Sequence, residues 1–185
     1  MIEGERVLVV GAGPIGIGAM MVATLKGAEV LVVDLVDDRL DQASALGAQL
    51  TARADSPDLA ELVASWTSGL GVDLSVEAVG GQQNSTLEMA QRLTTRRGRI
   101  VVMGSFSEKL VPFPVGSLKF LEQELIGSSG HPRTFGPVIE LVASGALEVA
   151  KLISHTIDLG GLQGAFDMMD KRVDGVMKVV VEPNR

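Results

Sequence analysis

The chain has 185 residues, 46% of them hydrophobic and 21% charged, and a formal net charge of −7. That length suits one domain of ordinary size plus an appendage, and the composition can fill a core. The acidic balance argues against an electrostatic surface for nucleic acid or for a membrane of anionic lipids, since both need clustered lysine and arginine. With no cysteine, the chain can form neither a disulfide nor a cysteine-ligated zinc site, which fits a cytoplasmic location. The longest apolar run near the start, residues 7–10, is too short to cross a bilayer.

Short apolar runs alternate with longer amphipathic stretches in the first part of the chain. The runs at residues 7–10 and 30–33 predict strands buried on both faces, as in a parallel sheet covered by helices. Asp37 and Ser56 are predicted to cap the second and third helices. Strands are also predicted near residues 49–51, 74–77, 99–103 and 124–128, and helices at 14–26, 37–46, 56–67 and 86–93. This alternation predicts an α/β fold with a doubly wound parallel sheet.

The rhythm changes after about residue 132. A helix at 136–144, a strand at 152–157, a helix at 162–171 and a strand at 176–181 are predicted there. This part need not continue the first sheet. The prediction is therefore a nucleotide-binding domain over residues 1–134 and a short α+β tail over residues 135–185.

A glycine-rich turn directly follows the first predicted strand and opens the first helix. Gly11 permits a tight turn, Gly13 lets the backbone approach a pyrophosphate, and Gly16 lets the helix pack closely on the strand. Pro14 stands in the first helical turn, where its missing donor costs little. The helix N-terminus would offer N–H groups and partial positive charge to phosphates. Alone, such a turn can also be structural or can bind S-adenosylmethionine or flavin.

The end of the second predicted strand narrows this choice. Asp34 follows Gly16 by 18 residues, where a carboxylate accepts hydrogen bonds from ribose hydroxyls and repels a 2′-phosphate. The combination favours NAD over NADP. Arg39 has two interpretations: a solvated helix residue that pairs with Asp38 or Asp41, or a contact to the ribose or adenine.

The sequence resembles the medium-chain zinc-dependent alcohol and polyol dehydrogenases, close to the sorbitol and threonine dehydrogenases, whose cofactor domain is a Rossmann fold. The resemblance runs through nearly the whole chain. It is carried by residues 4–16, the pair Asp34 and Arg39, and residues 46–48, 71–73, 77–80, 98–104, 126–129 and 174–180.

The resemblance implies further contacts to the cofactor, beyond the strand ends of the sheet. Such contacts would be made by the turn that includes Ile15, by Ala78, Val79 and Gly80 near the adenosine and its ribose, by Met103, Gly104 and Ser105 near the nicotinamide, by Ser128 and Ser129 near the carboxamide, and by Lys178 near the pyrophosphate. For Lys178, a solvated lysine on an edge strand is an equal alternative.

Relatives carry a catalytic domain before the first strand, and that domain supplies the zinc ligands and the proton relay. Only six residues precede Val7 here, so we expect zinc only in the missing domain and no catalytic or metal-binding residue in this chain. His131 and His155 have no partner at ligand spacing, and Glu77 is expected to have no acid–base role. The resemblance also implies that the tail completes the missing domain. Apolar residues of the tail are then expected to lack their usual partners, among them Ile153, Ile157, Phe166 and Met169.

The function predicted from these patterns is the NAD(H)-binding portion of a zinc-dependent dehydrogenase that oxidises a secondary alcohol or polyol. This chain alone is expected to be inactive. The alternatives are a stand-alone, non-catalytic NAD-binding or interaction module, or an enzyme whose catalytic half is a separate chain. Relatives dimerise through the cofactor domain, so a homodimer is expected, with residues 110–113 and the sixth strand as the sheet edge.

Overall fold

The computed structural model describes residues 3–81, 85–130 and 134–184. The chain forms two compact units, Met1–Gly136 and Pro137–Arg185. The functions predicted for the two parts, NAD binding by residues 1–134 and completion of a catalytic domain by residues 135–185, stay predictions.

The first unit contains a six-stranded parallel sheet with the strand order β3-β2-β1-β4-β5-β6. The chain moves outward from β1 to β3 and then crosses to the other side of β1 for the remaining strands. This confirms the predicted doubly wound α/β sheet. Its elements are β1 (Arg6–Val10), α1 (Pro14–Leu25), β2 (Glu29–Asp34), α2 (Asp37–Ala45), β3 (Leu50–Arg53), α3 (Leu59–Trp66), β4 (Val72–Glu77), α4 (Ser85–Leu93), β5 (Thr94–Val102), α5 (Val115–Phe120) and β6 (Glu124–Gly127).

Strands β1 and β2, which both lie inside the sheet, are buried on both faces, as their apolar sequences predict. The side chains of Val7 to Val10 and of Val30 to Val33 are at most 1% exposed. One face packs on Leu59 and Val63 of α3 and on the apolar side of α4. Burying an aliphatic side chain of this size stabilises a fold by about 1.5–3 kcal/mol. The core therefore lies along β1 and β2, and it fixes the strand ends that carry the predicted site.

Two predicted helix caps are wrong. Helix α3 begins at Leu59, and Ser56 lies in the turn before it, where its Oγ accepts a hydrogen bond from the N–H of Asp58 (3.3 Å). Asp37 is the first residue of α2, and Val36 occupies the cap position. The Asp37 carboxylate instead accepts from the Arg53 guanidinium (2.8 Å). The Asp37 carboxylate therefore pairs with Arg53 at the end of β3 and does not cap α2.

Strand β5 starts earlier than predicted, at Thr94, which pairs with Val72 of β4. Its pairing with β4 is irregular between Val72 and Leu74, and Arg97 has a φ of 61°. Arg96 and Arg97 both pair with Glu122. The hydrogen bond from Arg97, and then that from Arg96, lowers the pKa of Glu122 below its usual value.

The sheet edge is formed by β6 alone on this side, so the prediction for residues 110–113 is wrong. That segment belongs to no strand, and it leads into the unpredicted helix α5. Every residue of β6 is exposed on both faces of the sheet.

The second unit has its own two-stranded parallel sheet. Strand β8 begins at Lys178, two residues later than predicted. Ile153, Phe166 and Met169 are 44%, 61% and 46% exposed, whereas Ile157 is partly buried. The elements of this unit are α6 (Phe135–Ala143), which begins just before it, a 3-10 helix (Val149–Leu152), β7 (Ile153–Ile157), α7 (Leu162–Lys171) and β8 (Lys178–Val181).

The single tryptophan lies in the first unit. Its indole Nε1–H donates to the Glu29 carboxylate (3.2 Å), and the Arg6 guanidinium lies 5.9 Å from the ring centre. Trp66 therefore joins the end of α3 to the starts of β1 and β2. In the part of the chain that the structure describes, no helix has the length and apolar character needed to traverse a bilayer.

Candidate functional site

The carboxyl ends of five strands meet at one edge of the sheet. Val10 pairs with both Val33 and Glu77, Glu77 pairs with Val102, and Val102 pairs with Gly127. The chain reverses its direction across the sheet between β1 and β4, and in open α/β sheets the crevice at such a point binds ligands. The loops that carry most of the predicted contact residues all begin at this edge.

The glycine-rich turn is tightly packed on its inner side. Gly11 has a φ of +100°, and its N–H donates to the carbonyl oxygen of Val33 (2.8 Å). A Cβ at position 11 would lie 2.7 Å from Cγ2 of Val79, and a Cβ at position 16 would lie 1.8 Å from the carbonyl oxygen of Gly11. Both positions therefore require glycine.

The outer side of the same turn is open. A Cβ at Gly13 would meet no atom within 4 Å. Helix α1 begins at Pro14 without a side-chain cap, and Ile15 is 53% exposed. A pyrophosphate could therefore approach the backbone of the turn and the positive end of the helix dipole. These residues fit a dinucleotide.

Asp34 holds the end of β2 to the glycine turn. Its Oδ2 accepts from the N–H of Ala12 (2.7 Å), and its Oδ1 accepts from the N–H groups of Leu35 (2.7 Å) and Val36 (3.0 Å). Arg39 Nη1 lies 3.9 Å from Oδ2, so Arg39 pairs with Asp34 and not with Asp38 or Asp41. A carboxylate has roughly four acceptor positions. Three are used, which leaves about one for a ribose hydroxyl.

A second cluster of charges flanks Asp34 at the end of β3. Asp34 and Arg53 are register partners, and Arg53 hydrogen-bonds to Asp37 and Asp55. The hydrogen bond from Arg53 lowers the pKa of Asp55, and those to Asp55 and Asp37 raise the pKa of Arg53. With Arg39 included, three carboxylates face two guanidinium groups here. The rim therefore has a negative balance, which disfavours an additional phosphate.

The loops after β4 and β5 pair with each other beyond the sheet. The Gly81 N–H donates to the Ser105 carbonyl (2.7 Å), and the Ser107 N–H donates to the Gly81 carbonyl (2.9 Å). Val79 and Met103 are 45% and 38% exposed, so they place apolar surface at this edge. Apolar surface beside a few placed polar groups is typical of cofactor sites.

The other predicted contacts between the two loops have clear positions. Ala78 donates its N–H to Val10 (2.9 Å), which ties the β4 loop to β1. A Cβ at Gly80 would lie 2.4–2.7 Å from backbone atoms of Ser105. A Cβ at Gly104 would lie 2.5 Å from the nitrogen of Gly80. Glycine at both positions is thus a condition of this loop pairing.

The remaining predicted residues are less constrained. Ser128 and Ser129 follow β6 and are exposed, and the Ser128 N–H continues the β5 pairing to Val102 (3.0 Å). Lys178 is exposed on β8 and belongs to the second unit. Its predicted contact with the pyrophosphate stays a prediction.

Glu77 is the functional candidate that the sequence patterns undervalued. Its side chain is fully buried at the end of β4, and its Oε1 accepts three hydrogen bonds, from the N–H groups of Val79 and Gly80 and from the Thr86 hydroxyl. Its position at the end of a strand is visible in the sequence, but its burial is not.

Zinc ligation finds no support among these side chains. The described ranges contain no group of three or more histidine, aspartate or glutamate residues that could hold a metal ion. His155 lies on β7 beside the Ser154 hydroxyl (2.9 Å), and His131 lies outside the described residues.

A six-stranded parallel sheet of this order, with a glycine turn after its first strand and an acid after its second, defines a Rossmann dinucleotide-binding fold. The family model described as zinc-binding dehydrogenase matches residues 14–144. The chain belongs to this family, and the resemblance to zinc-dependent alcohol and polyol dehydrogenases is confirmed.

Known relatives cover nearly all of the chain. A 2-dehydro-3-deoxy-L-galactonate 5-dehydrogenase from Pseudoalteromonas atlantica is 36% identical over 98% of this chain and 52% of its own length. A sorbitol dehydrogenase from Bombyx mori is 32% identical over 96% of this chain and 51% of its own length. An alcohol dehydrogenase structure from Escherichia coli CFT073, complexed with the cofactor NADH, is 29% identical with a TM-score of 0.86, over 96% of this chain and 52% of that one. The chain spans about half the length of the curated relatives it matches, and it corresponds to their C-terminal, cofactor-binding part.

Proposed function

We propose that this chain binds NAD(H) as the cofactor half of a zinc-dependent dehydrogenase that oxidises a secondary alcohol or polyol. The observation that carries the proposal is the Asp34 carboxylate, which is hydrogen-bonded to the glycine turn beside an open helix N-terminus. A ribose hydroxyl acceptor and a pyrophosphate site therefore lie next to each other, as an adenine dinucleotide requires.

The same geometry favours NAD over NADP. Asp34 keeps an acceptor position for a ribose hydroxyl, and the nearby cations Arg39 and Arg53 are both paired with carboxylates. A 2′-phosphate would meet this negative balance, and both guanidinium groups described near Asp34 are already paired. The solved relative with NADH is consistent with this preference.

The chain's part in the reaction is to bind and orient the dinucleotide. When bound, the nicotinamide accepts or donates a hydride. The exposed apolar side chains of Val79 and Met103 would contact the dinucleotide, Val79 near the adenosine and its ribose and Met103 near the nicotinamide. The names of the curated relatives, which act on a sugar acid and on sorbitol, support a hydroxylated substrate. The proposed cytoplasmic location stays a prediction.

Isothermal titration of the purified chain with NAD, and separately with NADP, tests the proposal. We expect micromolar to submillimolar dissociation for NAD and binding at least about tenfold weaker for NADP, a difference of about 1.4 kcal/mol. S-adenosylmethionine and FAD, two other cofactors that contain adenosine, serve as control ligands. Absence of NAD binding below millimolar concentration, or tighter binding of a control ligand, would contradict the proposal.

We also propose that the first unit forms a homodimer through β6. This strand has a neighbour on one side only in the described sheet, and its Leu125 and Ile126 are 43% and 38% exposed. Exposed, apolar edge strands tend to add another strand.

Sedimentation velocity of the wild-type chain at tens of micromolar should give a dimer, and the Ile126→Lys variant should be a monomer. Leu70→Lys is the control, because Leu70 is exposed and lies just before the start of β4. A monomeric wild-type chain would refute the dimer.

A further inference from the structure

Glu77 is unusual because it is a fully buried charged residue. In the described part of the chain, no other charged side chain is buried. Burying a carboxylate is costly unless hydrogen bonds replace its hydration. The carboxylate therefore calls for an explanation other than core stability.

The hydrogen bonds of Glu77 are concentrated on one oxygen. Oε1 accepts from the N–H groups of Val79 and Gly80 (both 3.0 Å) and from the Thr86 hydroxyl (2.9 Å). Oε2 is buried and has no hydrogen-bond partner among the described residues. The side chain thus fixes two successive amides of the β4 loop and joins them to the start of α4.

The other oxygen of Glu77 faces the loop after β5. A Cβ at Gly104 would lie 2.4 Å from Oε2, so the carboxylate lies against the Cα of Gly104. The backbone carbonyl of Glu77 accepts from the N–H groups of Met103 (2.8 Å) and Gly104 (3.0 Å). One residue therefore holds the β4 loop with its side chain and the β5 loop with its backbone.

The two loops are hydrogen-bonded to each other. Gly81 donates to Ser105, and Ser107 donates back to Gly81. An isolated parallel bridge joins Gly81 and Phe106. A substitution of Glu77 should therefore change the amide exchange of Ser107, although the Glu77 side chain makes no hydrogen bond to Ser107.

We propose that Glu77 is a positioning residue for the dinucleotide, which fixes the paired loops that present Val79 and Met103 to it. This inference rests on the proposed NAD binding and adds a role that none of the sequence patterns assigned. Glu77 touches no ligand in this role. It acts through the amides of Val79 and Gly80 and through the contact with Gly104.

The test combines amide hydrogen exchange, followed by NMR, with NAD titration and thermal denaturation of the same variants. Glu77→Gln keeps the shape of the side chain, and Thr86→Val removes one donor without touching Glu77. Thr86→Ser, which retains the hydroxyl, and Glu88→Gln, on the exposed face of α4, are the controls. Thr86→Val keeps the proposal testable if Glu77→Gln fails to fold.

We expect faster exchange at Val79, Gly80 and Ser107 in Glu77→Gln, with the amides of β1 unchanged, and NAD binding about tenfold weaker because a charged acceptor is lost. Thr86→Val should show the same changes in exchange and binding to a smaller extent. Thr86→Ser keeps the hydroxyl donor, so its exchange and NAD binding should match those of the wild type. A uniform rise of exchange over the whole first unit would mean a purely structural role and would overturn the inference. Unchanged exchange at Ser107 would overturn it as well. Failure of the wild-type chain to bind NAD would refute the proposed function, while the exchange pattern of the unliganded variants still decides whether Glu77 fixes the loops.

Discussion

Gly16→Ala is expected to destabilise the first unit severely and to abolish NAD binding. A Cβ at this position would lie 1.8 Å from the carbonyl oxygen of Gly11 and 2.9 Å from its carbonyl carbon. Because these are backbone atoms of the turn itself, the clash can be relieved only by moving α1 away from β1. Overpacking costs about 1–3 kcal/mol, occasionally more, and contact with backbone puts this substitution at the upper end or above it. Thermal denaturation followed by circular dichroism measures the loss of stability, and titration measures the binding.

The same helix provides the control. A Cβ at Gly18 would meet no atom within 4 Å. Alanine is more favourable than glycine inside a helix by about 0.8–1.0 kcal/mol, so Gly18→Ala should raise the melting temperature and leave NAD binding intact. Equal stability of the two variants would refute the tight packing of the glycine turn on α1.

The second large effect is expected at Asp34. Asp34→Ala removes the acceptor for a ribose hydroxyl and for three backbone N–H groups. Hydrogen bonds to charged groups contribute about 1.5–3 kcal/mol, so NAD affinity should fall about ten- to a hundredfold. Arg39, now without the carboxylate 3.9 Å away, becomes available to a phosphate. NADP affinity should therefore rise relative to NAD affinity in the same titrations.

Asp38→Asn is the matched control for this loss of charge. Asp38 is exposed in the first turn of α2, four residues after Asp34. Its substitution changes the net charge by the same amount but should leave the NAD-to-NADP ratio unchanged. If both variants changed the ratio equally, the preference would come from the general negative potential of the rim rather than from Asp34.

Much of this fold could be predicted from the sequence because the central strands are uniformly apolar. Residues 7–10 and 30–33 are all valine or leucine, so these strands are expected in a sheet that is covered on both faces. The spacing of Gly11, Gly16 and Asp34 then places a turn and an acid at the same sheet edge. These features act locally, and a local pattern is sufficient to find them.

The interior of the site depends on contacts that no local pattern reveals. Residues 74–77 alternate apolar and polar, as in a half-exposed strand, yet Ser75 and Glu77 are both buried. Ser75 is hydrogen-bonded to the Thr94 hydroxyl at 2.7 Å, and one carboxylate oxygen of Glu77 accepts from donors in the following loop and helix. Burial of polar residues depends on partners that the fold brings together.

Two further differences have the same origin. The early start of β5 depends on the pairing of Thr94 with Val72 of β4, a residue distant from it in the sequence. Helix α5 has only six residues, too few to show an amphipathic period, and it directly follows Pro114. Sequence periodicity therefore does not predict short helices, or strand ends that depend on residues distant in the sequence.

The position of Trp66 makes the intrinsic fluorescence of this chain a reporter of one unit only. The chain has one tryptophan and no tyrosine, and Trp66 joins α3 to β1 and β2 through Glu29 and Arg6. Far-ultraviolet circular dichroism, in contrast, records helices and strands of both units. Denaturation curves measured with the two signals should therefore coincide if the units unfold as one cooperative body, and separate if each unit has its own transition.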